Sequence, residues 1–174
     1  MRRMIDAARL RRLMPALGRE AKVECRVYVT GGATAVLFGW RESTIDVDLK
    51  LVPDSDDVLR ALPRLKEALE VNIEIASPAD FIPELPAWQD RSLFIAQEHK
   101  AAFYHYDLYS QALAKVERGH AVDRKDVAAM VDRGLVDPRK ARELFEAIES
   151  MLYRYPAIDP ASFRRAVEAA FGRG

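Results

Sequence analysis

Residues 23–30 alternate: Val23, Cys25, Val27 and Val29 point one way, and Glu24, Arg26, Tyr28 and Thr30 the other. A period of two predicts a half-buried strand. The pattern returns at 45–52, where Ile45, Val47, Leu49 and Leu51 alternate with Asp46, Asp48 and Lys50, and at 71–75, where Asn72 and Glu74 take the polar side. Residues 92–97 and 100–105 read as two further short strands. Elsewhere the period is helical. Leu10, Leu13, Met14 and Leu17 stripe a helix over 3–18 that Gly18 can end, and Val58, Leu59, Leu62, Leu65 and Leu69 stripe another over 56–69.

Breakers and caps divide the rest. Gly31-Gly32 interrupts the first strand before a short helix to Phe38, and the three prolines of SPADFIPELPAW predict mostly loop. A helix over 107–118 is followed by Gly119 as its C-cap, and another covers 123–133. Asp137-Pro138 and Asp159-Pro160 are N-cap and first-turn pairs, opening helices to about Tyr153 and about Phe171. The expected architecture is α+β: a mixed sheet flanked by helices over 1–106, then a helical part over 107–174 that closes a cleft.

Composition narrows the field. A length of 174 residues, 49% hydrophobic and 31% charged, suits one domain with a helical extension and a real core. Zero formal net charge disfavours a globally basic nucleic-acid binder. No apolar run approaches a membrane span, and the start of the chain is charged and amphipathic rather than a signal peptide. The lone Cys25, in a strand-like run, reads as a small buried hydrophobe in a cytoplasmic protein. Arg2, Arg3, Arg9, Arg11 and Arg12 crowd the polar positions of the first helix, either as a solvated face or as a contact for a phosphate backbone.

The chemistry concentrates in residues 27–51. Side chains two apart on a strand share a face, so Asp46 and Asp48 stand together. Adjacent carboxylates repel, and a divalent cation offsets that repulsion. All-oxygen ligation suits Mg²⁺, which keeps waters and binds substrate phosphates. His99, His105 and His120 have no zinc-like spacing. Gly31-Gly32 lies where a strand gives way to a helix, where glycines let a phosphate approach the backbone and the positive end of the helix. Lys115 and Arg118 lie three apart on one helix face and are candidates to neutralise a triphosphate. Taken singly, each feature also has an ordinary structural reading: a tight turn, a solvated strand face, surface charges.

Gly-Gly, thirteen residues, Asp-x-Asp between apolar residues, then a carboxylate between apolar residues resembles the polymerase-β-type nucleotidyltransferase superfamily. TGGATAVLFGWRESTIDVDL, SPADFIPELPAW and DLYSQALAKVERGHAVDRKDV together are similar to the abortive-infection-type members, which include toxins of toxin–antitoxin pairs. The resemblance covers roughly residues 25–135. It matches Lys115 to a lysine on a later helix and Asp123 and Asp126 to a following pair of aspartates.

The resemblance implies a Mg²⁺-dependent transfer (Mn²⁺ is an alternative) of NMP from an NTP. Asp46 and Asp48 would hold the metal, with Glu74 as a third ligand where the family usually has aspartate. Gly31, Gly32, Arg41, Ser43, Thr44 and Arg118 would contact the triphosphate. Lys115 would neutralise the pyrophosphate leaving group, and Asp123 would act as a base or orient the lysine or acceptor. The implied acceptor is the 3′ end of tRNA or a protein hydroxyl, and the implied partner is a cognate antitoxin. The alternatives are a catalytically silent antitoxin or partner-binding module with this fold, and a plain α+β structural domain.

Overall fold

The computed structural model describes residues 3–174. The elements run α1 (Ala7–Glu20), β1 (Cys25–Thr30), α2 (Gly32–Phe38), β2 (Asp46–Val52), α3 (Asp56–Leu69), β3 (Asn72–Ile75), α4 (Trp88–Arg91), β4 (Leu93–Glu98) and β5 (Ala101–His105). They continue with α5 (Leu108–Arg118), α6 (Ala121–Asp132), α7 (Pro138–Glu149) and α8 (Pro160–Phe171). The described chain divides into two compact units: residues up to Ser77 with Ser92–Tyr106, and Pro78–Arg91 with Asp107–Gly174. Among the described residues, no helix is long and apolar enough to cross a membrane.

The first unit is a five-stranded mixed sheet ordered β3-β2-β1-β5-β4. β1 pairs antiparallel with β2 and parallel with β5, β2 pairs parallel with β3, and β4 pairs antiparallel with β5. One face carries Val27, Val29, Val47, Leu49, Leu51 and Phe103 into a core with Leu10, Leu13, Met14 and Leu17 of α1 and the apolar stripe of α3. Each such side chain contributes about 1.5–3 kcal/mol by leaving water. Cys25 lies in the same core, and burial raises its thiol pKa. The opposite face carries an aromatic cluster. Tyr28 stacks on Tyr104 at 5.5 Å between ring centres and meets Tyr106 edge-on at 6.0 Å, and the Arg26 guanidinium lies 5.3 Å from the Tyr104 ring.

Several expectations from the alternation change. Tyr28, placed on the polar side, is fully buried, because both faces of β1 are covered there. Ile45 lies just outside β2 and is 46% exposed, and Val23 precedes β1 and is also exposed. Gly18 does not end α1, which runs to Glu20. Gly18 is instead a close-approach position: a Cβ there would lie 2.4 Å from the Glu98 carbonyl oxygen.

Of the amino-terminal arginines, Arg3 pairs with Glu70 at 2.7 Å, and Arg9 donates to the Leu69 carbonyl at the end of α3. Arg11 and Arg12 are exposed, and Arg2 lies outside the described residues.

The second unit is helical. Asp107, Asp137 and Asp159 each cap the helix that follows with a side-chain carboxylate, and Gly119 takes the left-handed conformation (φ 71°) at the end of α5. α7 stops at Glu149, short of Tyr153, and a single 3-10 turn over Leu152–Arg154 follows. Phe145 and Phe163 meet edge-on at 4.9 Å, with Ile148, Leu152, Val167 and Phe171 buried.

Candidate active site

Strand register brings the glycine turn and the Asp-x-Asp together. Thr30 at the end of β1 sits opposite Asp48 of β2, and Asp48 sits opposite Glu74 of β3. Residues directly opposite share a face, so Thr30, Asp48 and Glu74 form one row, with Asp46 and Asn72 as the next. Gly31 then leaves the sheet at φ 68°, a conformation glycine adopts without strain. A Cβ on Gly31 would lie 3.1 Å from Asp48 Oδ2. A Cβ on Gly32 would lie 2.1 Å from Thr44 Oγ1 and 2.9 Å from an Arg41 terminal nitrogen. Thirteen residues of sequence thus close into a cradle that a side chain would fill.

The loop before β2 is pinned. Thr44 exchanges backbone hydrogen bonds with Ile5 at 2.7 and 2.9 Å, and its hydroxyl donates to the Asp46 carbonyl at 3.2 Å. Ser43 is half-buried beside it. Behind the turn, Thr34 of α2 is hydrogen-bonded to His105 Nδ1 at 3.0 Å, and Phe38 packs on the imidazole at 4.5 Å between ring centres. Burial lowers the His105 pKa to about 4, so the ring is neutral at neutral pH.

Asp46 and Asp48 are half-buried, and Glu74 is exposed. Asp46 Oδ1 accepts from Asn72 Nδ2 at 2.5 Å, and the same amide donates to Glu74 Oε1 at 3.2 Å. Asn72 therefore ties two of the three predicted metal-site residues together. Among the described residues, no group of three or more His, Cys, Asp or Glu is arranged to hold a metal ion. What β2 offers is an oxygen pair rather than a cage. A pair fits Mg²⁺, which takes its remaining ligands from water and substrate phosphate.

The other predicted residues lie in the second unit. Lys115 Nζ is 2.9 Å from Asp126 Oδ2 and 3.6 Å from Asp123 Oδ1. Arg118 grips Asp123 through two nitrogens, at 2.8 and 2.5 Å. The His120 N–H also donates to Asp123, at 3.2 Å, in the first turn of α6. Asp123 and Asp126 are 0% and 1% exposed, and Lys115 is 8% exposed. Burial alone would raise the Asp123 pKa. The Arg118 hydrogen bonds and charge, the Lys115 charge and the His120 N–H outweigh it, leaving the carboxyl below its usual range.

Asn72 joins these clusters without a role read from the sequence, and Asp126 is matched there to the second aspartate of the resemblance without a role of its own. Asn72 was visible only as a polar strand position. Asp126 falls three residues after Asp123, one helical turn on, as the aspartate pair of the resemblance does.

A strand that breaks at two glycines thus lies beside a strand presenting paired aspartates on a mixed sheet. The chain belongs to the family described as nucleotidyltransferase of unknown function (DUF6036), whose model matches residues 8–167. Neither a curated protein nor a solved structure matches it.

Proposed function

We propose that the chain moves a nucleoside monophosphate from a nucleoside triphosphate to an acceptor hydroxyl at the site built on Gly31, Gly32, Asp46 and Asp48. The observation that carries this reading is the 3.1 Å approach of Asp48 to the Cβ position of Gly31. A place where backbone can meet phosphate thereby adjoins a place where carboxylates can meet the phosphate's cation.

Asp46 and Asp48 would hold Mg²⁺, or Mn²⁺ in its stead, with Glu74 steered toward them by Asn72. Bound with the nucleotide, that cation would neutralise phosphate charge as a Lewis acid. α2 has only seven residues, so the cradle relies on close approach to the glycine backbone and on the Arg41 guanidinium more than on a helix dipole. Ser43 offers a hydroxyl to the same phosphates, and Thr44, whose hydroxyl donates to the Asp46 carbonyl, holds the loop beside them. The acceptor oxygen bonds to the α-phosphorus, the bond to pyrophosphate breaks, and the hydroxyl proton leaves to solvent. Positioning and charge neutralisation supply most of the rate.

In the second unit, Lys115 and Arg118 are taken up by Asp123 and Asp126. A carboxyl held below its usual range is a weak base. Asp123 therefore suits holding Lys115 and Arg118 better than taking a proton. The resemblance to abortive-infection-type enzymes extends the proposal to a tRNA 3′ end or a protein as acceptor, in a cytoplasmic toxin-like component with a cognate antitoxin.

Label transfer tests it. The protein is incubated with Mg²⁺ and each α-³²P-labelled nucleoside triphosphate, with total tRNA or cell lysate as acceptor. Transfer should fall at least about 100-fold in Asp46→Ala and in Asp48→Ala, with folding intact. The labelled species would identify the acceptor class. A folded wild type that labels nothing would overturn the proposal in favour of a silent partner-binding module.

A further inference from the structure

α6 and α8 both pack against α5, and between them runs an open groove of about 680 Å³. Its lining is small and apolar: Val127, Ala128 and Val131 from α6 face Ala166, Ala169 and Ala170 from α8. Ala128, Ala169 and Ala170 are exposed. Lys115 of α5 and two charged residues of α6, Arg124 and Asp132, also line the groove; Lys115 is buried, and the other two are exposed. Among the described residues, neither has an ion-pair partner.

The placement of those two charges is specific. Arg124 stands four residues before Ala128 and Asp132 four residues after it. At 1.5 Å per residue they lie about 12 Å apart along the axis. Steps of four and eight residues keep all three on one side of the helix. Reversing α6 about Ala128 exchanges the positions of the cation and the anion. An antiparallel copy of this helix is thus complementary to it at both ends at once. Alanine at the crossing point and along the opposite wall lets two helices approach closely.

We propose that this groove is the interface of a two-fold homodimer in which α6 of one copy lies antiparallel to α6 of the other. The copies cross at Ala128, and Arg124 of each meets Asp132 of its mate. A two-fold contact is self-complementary and closed, so the pair forms twice and the assembly stops at two. The inference rests on the second unit alone and stands whether or not nucleotide transfer does.

Sedimentation velocity of the full chain over the micromolar range tests it. The wild type should be a dimer. Arg124→Glu alone, or Asp132→Arg alone, sets like charges opposite each other twice and should weaken association by about tenfold or more. The double variant R124E/D132R restores both pairs and should return to wild-type affinity, which a misfolded protein would not do. Ala128→Trp should give a monomer with an unchanged circular dichroism spectrum. A wild type that stays monomeric throughout, or a dimer indifferent to these charge reversals, would overturn the proposal.

Discussion

The chain places two aspartate pairs in two different electrostatic settings. Asp123 and Asp126 are almost wholly buried and meet Lys115 and Arg118 at 2.5–3.6 Å. Asp46 and Asp48 are half-buried, and Asp46 accepts from the neutral amide of Asn72. Burying a carboxylate costs several kcal/mol unless an opposite charge and hydrogen bonds offset it. The helical unit therefore carries its compensation within the fold. The strand pair, less deeply buried, retains access to water. Similar residue patterns thus take on different work according to what surrounds them.

The largest effect separating the two is expected on stability. Lys115→Met leaves Asp126 buried opposite an apolar group and strips Asp123 of one of its cations. It should cost about 3–5 kcal/mol in denaturant unfolding. Adding Asp126→Leu removes the stranded charge, and the double variant should recover much of that loss. A Lys115→Met variant as stable as the wild type would break the comparison, because the buried aspartates would then not depend on their cations.

His105 represents a third solution: neutrality rather than pairing. Its pKa is lowered to about 4 from an ordinary 6.5 by burial against Phe38 and Thr34. Between those values the unfolded chain binds a proton that the folded chain refuses, so stability rises with pH across the window. The span is worth up to about 3 kcal/mol, fully present above pH 6.5 and lost as pH falls toward 4. Asp123, held below the usual carboxylate range, adds a loss only at more acid pH. Unfolding measured from pH 7 to 4 should show the slope in the wild type and a flatter line in His105→Asn. An equal slope in both would assign the pH response to other groups.

Much of this was legible in the sequence where the cause is local. The helix over 56–69 appears with the predicted bounds, capped by Ser55, whose hydroxyl accepts from the Val58 N–H at 3.3 Å. The Asp-Pro starts of α7 and α8 and the Gly119 stop are equally local. The strands and the shared Asp46/Asp48 face followed from alternation.

What alternation could not supply was register and approach. Gly18 reads as a stop, yet it marks where Glu98, eighty residues away, presses on α1. Asn72 reads as one polar strand residue among several until β2 and β3 pair and set its amide between Asp46 and Glu74. Tyr28 reads as a solvent-side residue until Tyr104 and Tyr106 pack against it. Each miss comes from a contact distant along the chain, which a local pattern does not encode.

The smallest effect is the sharpest test of the strand pair. Asp46→Asn keeps an oxygen that can accept from Asn72 and removes one negative charge from beside Asp48. At a half-buried site, stability should change by no more than about 0.5 kcal/mol. Ligand linkage is where it should differ. A cation and triphosphate that bind only the folded wild type raise its Tm with concentration, as a bound ligand must, and the same titration should leave Asp46→Asn and Asp48→Asn almost unmoved. If Asp46→Asn instead destabilised the protein as much as Lys115→Met, the strand pair would be a structural element of the sheet. The distinction between a pair buried for stability and a pair kept at the surface for a substrate would then be lost.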